Sequence, residues 1–446
     1  MGHLMTPYFI ALLVAGFISA VTWPGFMSWD SLHALIEARF GVTGGDYPTM
    51  VSYIWRPLDY LYPGPSLMLF FQNGLFLLSF AHLLRLLRFS NRSATLCLVS
   101  TAFLPPILGT MLVVWKDTLM LAFFLMAIAC LLQSELGGGR RSLWLSEIGL
   151  LFATACRFNA VAAAIPLWLW LAWRIWPERK GRAFALRSAL LIVATLTPIY
   201  LLQRFQIPSF HRMPPPSPNG VLLFDVIGTS HFSRRNLLPP AAFHRDPTFS
   251  ISDLDQLYQP QNLHIAFSSF PLVDDRMTKR LDLDAAPRSD VFSAWRQAIR
   301  RYPLAYLKHR FAVTRELISL GTVGVYYPTD YGIPPNSLGI HFKPSLSGVA
   351  MVRLVRRASR TALGRPFLYY LAGLLALVLI LKKRIFQWHI PALLLSSGLI
   401  YIATFLPVAP CADLRYNLYS VVMMIVGILI AGKFWLAGED YLLDSP

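Results

Sequence analysis

Residues 23–65 read WPGFMSWDSLHALIEARFGVTGGDYPTMVSYIWRPLDYLYPGP and lie between two apolar segments that are each long enough to cross a lipid bilayer. Within them, Ser31–Phe40 and Thr49–Leu61 place apolar side chains at the three- and four-residue spacing of one helical face. We expect both amphipathic helices to lie flat at the membrane surface with their apolar sides in lipid, which places Asp30 and Asp46 at that surface. The stretch therefore predicts a loop that leaves the membrane, carries acidic side chains and returns at a proline-rich corner.

Composition indicates the class of protein that this loop belongs to. The chain has 446 residues, of which 55% are hydrophobic and 14% are charged, against roughly 25% charged residues in a soluble domain. We expect a polytopic membrane protein, in which the formal charge of +17 reports orientation and not a nucleic-acid partner. The cysteines and histidines match no zinc-binding spacing, and no glycine-rich phosphate loop or nucleophile elbow is present.

Long apolar runs bounded by charged residues predict about ten membrane spans. The predicted spans are Met5–Thr22, Pro65–Leu84, Ala94–Val114, Thr118–Leu132, Ser142–Cys156, Phe158–Trp176, Ser188–Leu202, Pro366–Leu381, Ile390–Leu406 and Leu418–Ala431. The expected fold is an all-α polytopic membrane protein with a mixed extracytoplasmic domain between the seventh and eighth helices.

Basic residues in the short connections predict the orientation of these spans. Clusters follow the second, fourth, sixth and eighth spans, at Arg85–Arg92, Arg140–Arg141, Arg179–Arg182 and Lys382–Arg384. Because such clusters stay in the cytoplasm, both termini are expected there and the other connections are expected outside.

The chain then divides into three parts. Residues 5–204 form a seven-helix membrane module with the first outer loop at 23–65, residues 205–365 an extracytoplasmic domain, and residues 366–436 a three-helix module. The middle part contains no run able to span, and it carries 20 Lys plus Arg against 11 Asp plus Glu. A basic outer surface suits phosphorylated lipids.

Asp30 is the first candidate for chemistry. It follows the first predicted span and is surrounded in sequence by Trp23, Phe26 and Trp29. A carboxylate in such surroundings can accept a proton from a hydroxyl or position a cation, and partial desolvation raises its basicity. The alternative interpretation is a helix N-cap that holds the segment beginning at Ser31.

Further charged residues fall in the predicted outer connections. Lys116 and Asp117 lie between the third and fourth predicted spans, where Lys116 could neutralise a leaving phosphate while Asp117 orients an acceptor or a metal. Snorkelling by Lys116 and helix capping by Asp117 remain open as structural roles. Arg157 and Asn159 interrupt an apolar hairpin, and an arginine there indicates a partner such as Asp117 or a phosphate, with snorkelling as the alternative.

Arg415 and Tyr416 precede the last predicted span. The guanidinium could bind a phosphate in a bidentate fork, and the phenol could donate a hydrogen bond to a bridging oxygen. An anchor at the membrane interface is the equally open alternative.

Several short motifs together resemble the membrane glycosyltransferases of the C fold class, which include protein mannosyltransferases, oligosaccharyltransferases and lipid A aminoarabinose transferases. In that class a module of seven spans carries a first outer loop with a catalytic acidic residue and two surface-lying helices. The matching residues here are Ser28-Trp29-Asp30, Asp46-Tyr47-Pro48, Trp115-Lys116-Asp117, Arg157-Phe158-Asn159, Phe224-Asp225, Trp295 followed by Tyr302–Arg310, and Arg415-Tyr416.

The resemblance implies a glycosyltransferase of the bacterial inner membrane. It would move a sugar from a polyprenyl-phosphate donor to a glycolipid, polysaccharide or protein acceptor on the extracytoplasmic face. Its first loop lacks the adjacent acidic pair that many members carry, so a divalent metal is compatible with the resemblance without being implied by it.

The mechanistic hypothesis assigns the predicted residues three roles. Asp30 acts as general base and Asp117 assists it. Lys116, Arg157, Arg415 and Tyr416 bind the donor phosphate. Asp46, Asn159 and Asp225 orient the acceptor.

A lipid or polysaccharide transporter without glycosidic chemistry is the rival hypothesis. It requires polar side chains along a path through the bilayer, and the predicted spans offer few beyond Gln72, Asn73 and Glu147.

Overall fold

The computed structural model describes residues 6–43, 48–176, 181–204, 211–212, 219–243, 248–262, 286–321 and 325–437. In these ranges the chain is mostly helical, and the strands β1 (Val42–Thr43) and β2 (His211–Arg212) pair in parallel. The helices are α1 (Thr6–Val21), α2 (Trp29–Phe40), α3 (Met50–Leu61), α4 (Ser66–Leu86), α5 (Asn91–Ala102), α6 (Pro105–Met111), α7 (Lys116–Glu135), α8 (Gly139–Cys156), α9 (Ala160–Ile175), α10 (Gly181–Arg204), α11 (Asn219–Ser233), α12 (Ile251–Leu257), α13 (Arg288–Arg301), α14 (Pro303–Leu317), α15 (Leu346–Ala358), α16 (Pro366–Lys383), α17 (His389–Ala403) and α18 (Leu418–Ala437).

Several helices are long and apolar enough to cross a membrane, so the fold is compatible with a helical membrane protein. In the described part of the chain five segments meet this criterion, and the bent pair α5 and α6 makes a sixth if it is one span. The five are Ser66–Leu86, Lys116–Glu135, Gly181–Leu201, Pro366–Lys383 and Leu414–Leu436. The other predicted spans fall on the shorter helices α1, α9 and α17 and on α8, and the count of ten spans stays a prediction.

Exposed leucines on two of these helices agree with a membrane environment. Leu186 and Leu190 on α10 are 63% and 58% exposed, and Leu375 and Leu379 on α16 are each 56% exposed. In water such contiguous apolar surface is unfavourable, at about 25 cal/mol for each Å². Lipid removes that cost because its hydrocarbon core is itself apolar.

The third predicted span, Ala94–Val114, is not one continuous helix. It divides into α5 and α6, whose axes differ by 73°. Pro105 and Pro106 explain the break, since proline lacks the amide hydrogen that an α-helix needs and disfavours helical geometry in the residue before it.

Two buried amides of α4 stabilise the chain where it leaves α6. The side chain of Asn73 donates to the carbonyl of Met111 (2.8 Å), and that of Gln72 donates to the carbonyl of Val113 (2.7 Å). Met111 is the last residue of α6 and Val113 lies beyond it, so neither carbonyl has a helical amide one turn further on, and the side-chain amides replace the missing hydrogen bonds.

The two amphipathic segments of the first loop form the expected helices, α2 and α3. Their predicted apolar sides, however, are buried in the protein instead of facing lipid. Leu32 and Leu35 of α2 are 3% and 0% exposed, and Val51 and Trp55 of α3 are 4% and 0% exposed. The apolar faces of α2 and α3 therefore contribute to a protein core, because neighbouring segments cover them.

The chain forms two compact units. Unit 1 comprises residues 1–213, 328–402 and 417–446, and unit 2 comprises residues 214–327 and 403–416. In unit 1, residues after Tyr327 contact the start of the first loop. The amide of Met27 donates to the carbonyl of Gly332 (2.8 Å), and the ring of Phe26 lies 5.7 Å from that of Phe342. The predicted extracytoplasmic segment 205–365 thus contributes residues to both units.

Unit 2 contains two consecutive helices, α13 and α14, in a stretch where Pro303 predicts a helix break. The helices α13 and α14 meet at Tyr302, directly before Pro303, as the proline predicts. Proline is well tolerated in the first turn of α14, where the missing amide would have had no helical partner.

Candidate active site

The beginning of α2 fixes the position of Asp30. The N-cap of this helix is Ser28, whose side chain accepts a hydrogen bond from the amide of Ser31, while the Ser31 hydroxyl accepts from the amide of Ser28. The alternative interpretation of Asp30 as the N-cap is therefore wrong. Asp30 lies in the first helical turn, where the helix dipole stabilises a negative charge.

Three hydrogen bonds attach this turn to the residues before α7. The Ser31 hydroxyl donates to the carbonyl of Val114 (2.5 Å), and the indole of Trp115 donates to the Ser28 hydroxyl (2.9 Å). The amide of Val114 also donates to the carbonyl of Phe26 (3.0 Å). Because α7 begins at Lys116, the residue after Trp115, these bonds bring the start of α2 and the start of α7 together.

The two helix starts share a narrow cleft. Asp30 and Lys116 both line it, together with Glu37 of α2 and with Trp55 and Trp115. Its free volume is about 20 Å³, which is close to the space that one water molecule or hydroxyl group needs. Two acidic residues and one lysine therefore line a space of the size of a hydroxyl group.

Glu37 is not among the residues predicted from the sequence. It is 4% exposed, and the Ser52 hydroxyl of α3 donates to its carboxylate (2.7 Å). The sequence did contain a signal, since positions seven apart lie on one face of a helix and Glu37 follows Asp30 by seven residues.

Asp117 and Arg157 form the predicted ion pair. It joins the first turn of α7 to the residue that ends α8. Asp117 is fully buried and does not line the cleft that Asp30 and Lys116 line. The pair therefore holds the start of α7 against the end of α8, and through α7 it positions Lys116. Asn159 lies two residues further on, at the N-cap of α9.

Arg415 and Tyr416 lie in unit 2 and are held by their own neighbours. The Arg415 guanidinium binds the carboxylate of Asp413 (2.7 Å) and lies 5.3 Å from the centre of the Tyr416 ring. That ring stacks on Phe405 at 4.8 Å. The Arg415 side chain is 11% exposed, so most of its surface is in contact with protein.

Asp225 is the centre of a buried polar cluster in unit 2. Its carboxylate binds Arg310 (2.5 Å), accepts a hydrogen bond from the indole of Trp295 (2.8 Å) and lies 3.4 Å from Nε2 of His309. The other ring nitrogen of His309 shares a hydrogen bond with the Tyr258 hydroxyl (2.8 Å). The motif residues Asp225, Trp295, His309 and Arg310, which are far apart in the sequence, are thus brought together.

Burial shifts the pKa values of two members of this cluster. It lowers the pKa of His309 below its usual 6.5, although Asp225 acts in the opposite direction. It raises the pKa of Tyr258 above its usual value of 10.0. Both groups are therefore neutral at pH 7, and the charges of the cluster are those of Asp225 and Arg310.

The predicted site residues fall into separate groups. Asp30 and Lys116 share the cleft, whereas Asp117 and Arg157 form an ion pair next to Lys116. Arg415, Tyr416 and Asp225 belong to unit 2, and Asp46 lies outside the described residues. In the part of the chain that the structure describes, no three His, Cys, Asp or Glu side chains form a group that could hold a metal ion. Comparisons with models of protein families, with curated proteins and with solved structures found no match.

Proposed function

We propose that this protein is a membrane glycosyltransferase that moves a sugar from a polyprenyl-phosphate donor to an acceptor hydroxyl. The observation that carries this proposal is the cleft that Asp30, Glu37 and Lys116 line. A transferase of this kind needs a base for the hydroxyl proton and a cation for the leaving phosphate, and the cleft contains both within a space of hydroxyl size.

In the proposed reaction Asp30 takes the proton from the acceptor hydroxyl, and the oxygen of that hydroxyl forms a bond to the anomeric carbon. The bond between that carbon and the phosphate oxygen breaks, and polyprenyl phosphate leaves with the bonding electron pair. Lys116 stabilises the negative charge of the leaving phosphate, and the positive end of the α7 dipole adds to this effect. Displacement in one step inverts the anomeric configuration.

The basic clusters in the predicted short connections support the proposed orientation, with the cleft on the extracytoplasmic side of a bacterial inner membrane. Donor and acceptor would then meet at the surface where the first loop lies. The resemblance of Ser28-Trp29-Asp30 and the two helices after it to the first loop of C-class glycosyltransferases supports the same arrangement.

The cell envelope gives the first test. Glycolipids, polysaccharides and glycoproteins from a deletion strain, complemented with the wild-type protein or with Asp30→Asn, are compared by mass spectrometry. We expect the envelope products of the deletion strain and of the Asp30→Asn strain to lack the mass of one sugar residue that the wild-type protein adds. Asp290→Asn, an exposed carboxylate of α13, is the control and should restore that mass.

A product unchanged in Asp30→Asn, at equal membrane abundance, would contradict the proposal. The rival transporter hypothesis predicts a different result, in which labelled substrate accumulates in vesicles without a new glycosidic bond. The described contacts of Gln72 and Asn73 favour the transferase, since these amides bind backbone carbonyls and do not line a polar path.

A further inference from the structure

A second pocket in unit 1 lies at the opposite end of α2 from Asp30. Its free volume is about 620 Å³, which is within the range of pockets that hold small ligands. Its lining comes from the two ends of the first loop, from the last turn of α2 and of α3, and from residues 338–343. Arg39 of this lining follows Asp30 by nine residues on α2, which corresponds to about 14 Å along the helix.

Two exposed aromatic rings form one wall of this pocket. Trp23 is 53% exposed and Tyr62 is 46% exposed, with ring centres 5.9 Å apart and planes inclined by 56°. The two exposed rings are inclined to each other and form a corner, which can contact a ligand ring on two sides. An aromatic face binds the C–H groups of a pyranose ring, because the π-electron face attracts their small positive charge.

The floor of the pocket is a fixed guanidinium. Arg39 binds both oxygens of Asp59, at 2.7 Å and 2.9 Å, and donates to the carbonyl of Leu338 (3.2 Å). The Asp59 carboxylate also accepts from the amide of Gly64 (2.7 Å), so its own hydrogen-bonding capacity is largely used. The guanidinium has five N–H groups, of which these bonds use three, and two remain without a partner among the described residues.

The charge of the lining favours an anion. Arg39 and Lys343 are its cationic side chains, and Asp59, which Arg39 already neutralises, is its one carboxylate among the described lining residues. Lys343 is exposed and can follow a bound charge, whereas Asp59 occupies the planar fork of Arg39 and the two remaining N–H groups of the guanidinium can donate to an anion.

We propose that this pocket binds an acidic sugar residue of the acceptor, with its ring on Trp23 and Tyr62 and its negative group at Lys343 and Arg39. The role of this sugar as part of the acceptor rests on the proposed transferase activity. Binding of an anionic saccharide is expected from the pocket itself. The acidic residue would lie about 14 Å along α2 from Asp30, where the acceptor hydroxyl reacts. The acceptor would then be selected by charge at a site separate from the chemistry.

Binding to the purified full-length protein in nanodiscs tests the assignment, with trigalacturonate as the probe and maltotriose as the uncharged match. We expect calorimetry to show binding of trigalacturonate and at least about tenfold weaker binding of maltotriose. Trp23→Ala should weaken trigalacturonate binding about tenfold, and Lys343→Gln about fivefold. Tyr60→Ala, an 89% exposed ring of α3 outside the pocket, and Lys308→Gln in unit 2 should leave it unchanged.

Three results of these binding measurements would overturn the assignment, and a displacement experiment gives a fourth. They are absent binding of trigalacturonate, equal binding of the charged and uncharged trisaccharides, and full affinity in both Trp23→Ala and Lys343→Gln. Displacement by phosphatidylglycerol but not by glucose 6-phosphate would assign the pocket to a lipid headgroup and would also overturn it, whereas displacement by glucose 6-phosphate supports an anionic sugar.

Asp30→Asn separates this assignment from the proposed reaction. It should abolish transfer and keep trigalacturonate affinity, because the pocket does not include Asp30. Retained transfer in Asp30→Asn with lost binding in Trp23→Ala would contradict the proposed function alone. Lost transfer in Asp30→Asn with unchanged binding in Trp23→Ala and Lys343→Gln would contradict the pocket assignment alone.

Discussion

At the scale of single residues, three aspartates with similar sequence surroundings have different environments. Asp30 lines a cleft, Asp117 is fully buried against Arg157, and Asp225 is 2% exposed against Arg310. Asp30 and Asp225 directly follow an aromatic residue, and Asp117 lies two residues after Trp115. The sequence predicted a functional role for all three, for Asp225 through the resemblance. Burial decides between the roles, because a carboxylate without access to substrate can only position other groups.

Removing the charge of Asp225 should destabilise unit 2. Asp225→Asn leaves the buried Arg310 guanidinium without its counter-charge, and breaking a buried pair in this way costs about 3 to 5 kcal/mol. We expect hydrogen exchange of the α11 and α14 amides to become at least about 100-fold faster. The exposed Asp290→Asn should cost less than about 1 kcal/mol, and equal protection in the two variants would contradict the structural role of Asp225.

At the scale of elements, sequence patterns predicted the helices better than their surroundings. The spacing of apolar residues identified α2 and α3, and Pro303 identified the break between α13 and α14. Lipid contact of the α2 and α3 apolar faces was wrong, because a periodic pattern shows that a face is apolar without showing what covers it. The break at Pro105 could have been predicted from that residue, but the high hydropathy of Ala94–Val114 favoured a continuous span.

The contacts between the starts of α2 and α7 could not be predicted, because they join two short segments, around Ser28 and around Trp115, that are far apart in the sequence. Ser28 caps α2 and also accepts a hydrogen bond from Trp115, so it joins local structure to the cleft. The sequence contains many serines before helices, and only the fold shows which of them holds a second element.

Ser28→Ala should therefore affect both stability and transfer. Loss of the cap costs about 1 kcal/mol, and the Trp115 indole loses its acceptor at a cost of about 1 to 3 kcal/mol. Transfer should fall because Asp30 and Lys116 are less well aligned. Ser90→Ala removes the cap of α5, which is away from the cleft, and should lower stability by about 1 kcal/mol while transfer stays normal. Similar transfer rates in both variants would contradict the link through Ser28.

Substitution of a glycine of α6 tests how the residues after Tyr327 pack against this helix within unit 1. A methyl group at Gly109 would collide with the carbonyl of Pro328, so Gly109→Ala should destabilise by about 1 to 3 kcal/mol. Gly74 of α4 has open space around the same position, and Gly74→Ala should be neutral or stabilising. Thermal unfolding in detergent distinguishes the two, and equal melting temperatures would contradict this contact.

At the scale of the whole molecule, composition predicted the helical membrane character, and the long apolar helices agree with it. The division into two compact units was less predictable. Residues 328–365 were predicted to be part of the outer domain but belong to unit 1, because aromatic contacts such as Phe26 with Tyr331 (5.3 Å) join them to the first loop. Such long-range contacts leave no local pattern in the sequence.

The stability of unit 2 should fall as the pH is lowered through the range where histidine titrates. Burial lowers the pKa of His309 and of His231 below 6.5. The unfolded chain therefore binds more protons than the folded one as the pH falls below about 6.5, and this shifts the equilibrium toward unfolding.

Hydrogen exchange of α11 and α14 at about pH 7.5 and about pH 5.5, corrected for the intrinsic exchange rates, measures this effect. We expect lower protection at the acidic value and a smaller difference in His309→Gln. Protection that does not change between the two values would contradict the buried neutral state of His309.

The central claim is that Asp30 and Lys116 act together on one transfer reaction. The most direct measurement is a double-mutant cycle on kcat/KM for release of polyprenyl phosphate, with wild type, Asp30→Asn, Lys116→Met and the double variant assayed against a panel of polyprenyl-phosphate sugars. We predict a loss of at least about 100-fold in Asp30→Asn and a double variant much less impaired than the product of the single losses. Single losses that multiply in the double variant, or wild-type turnover in Asp30→Asn, would contradict a shared site.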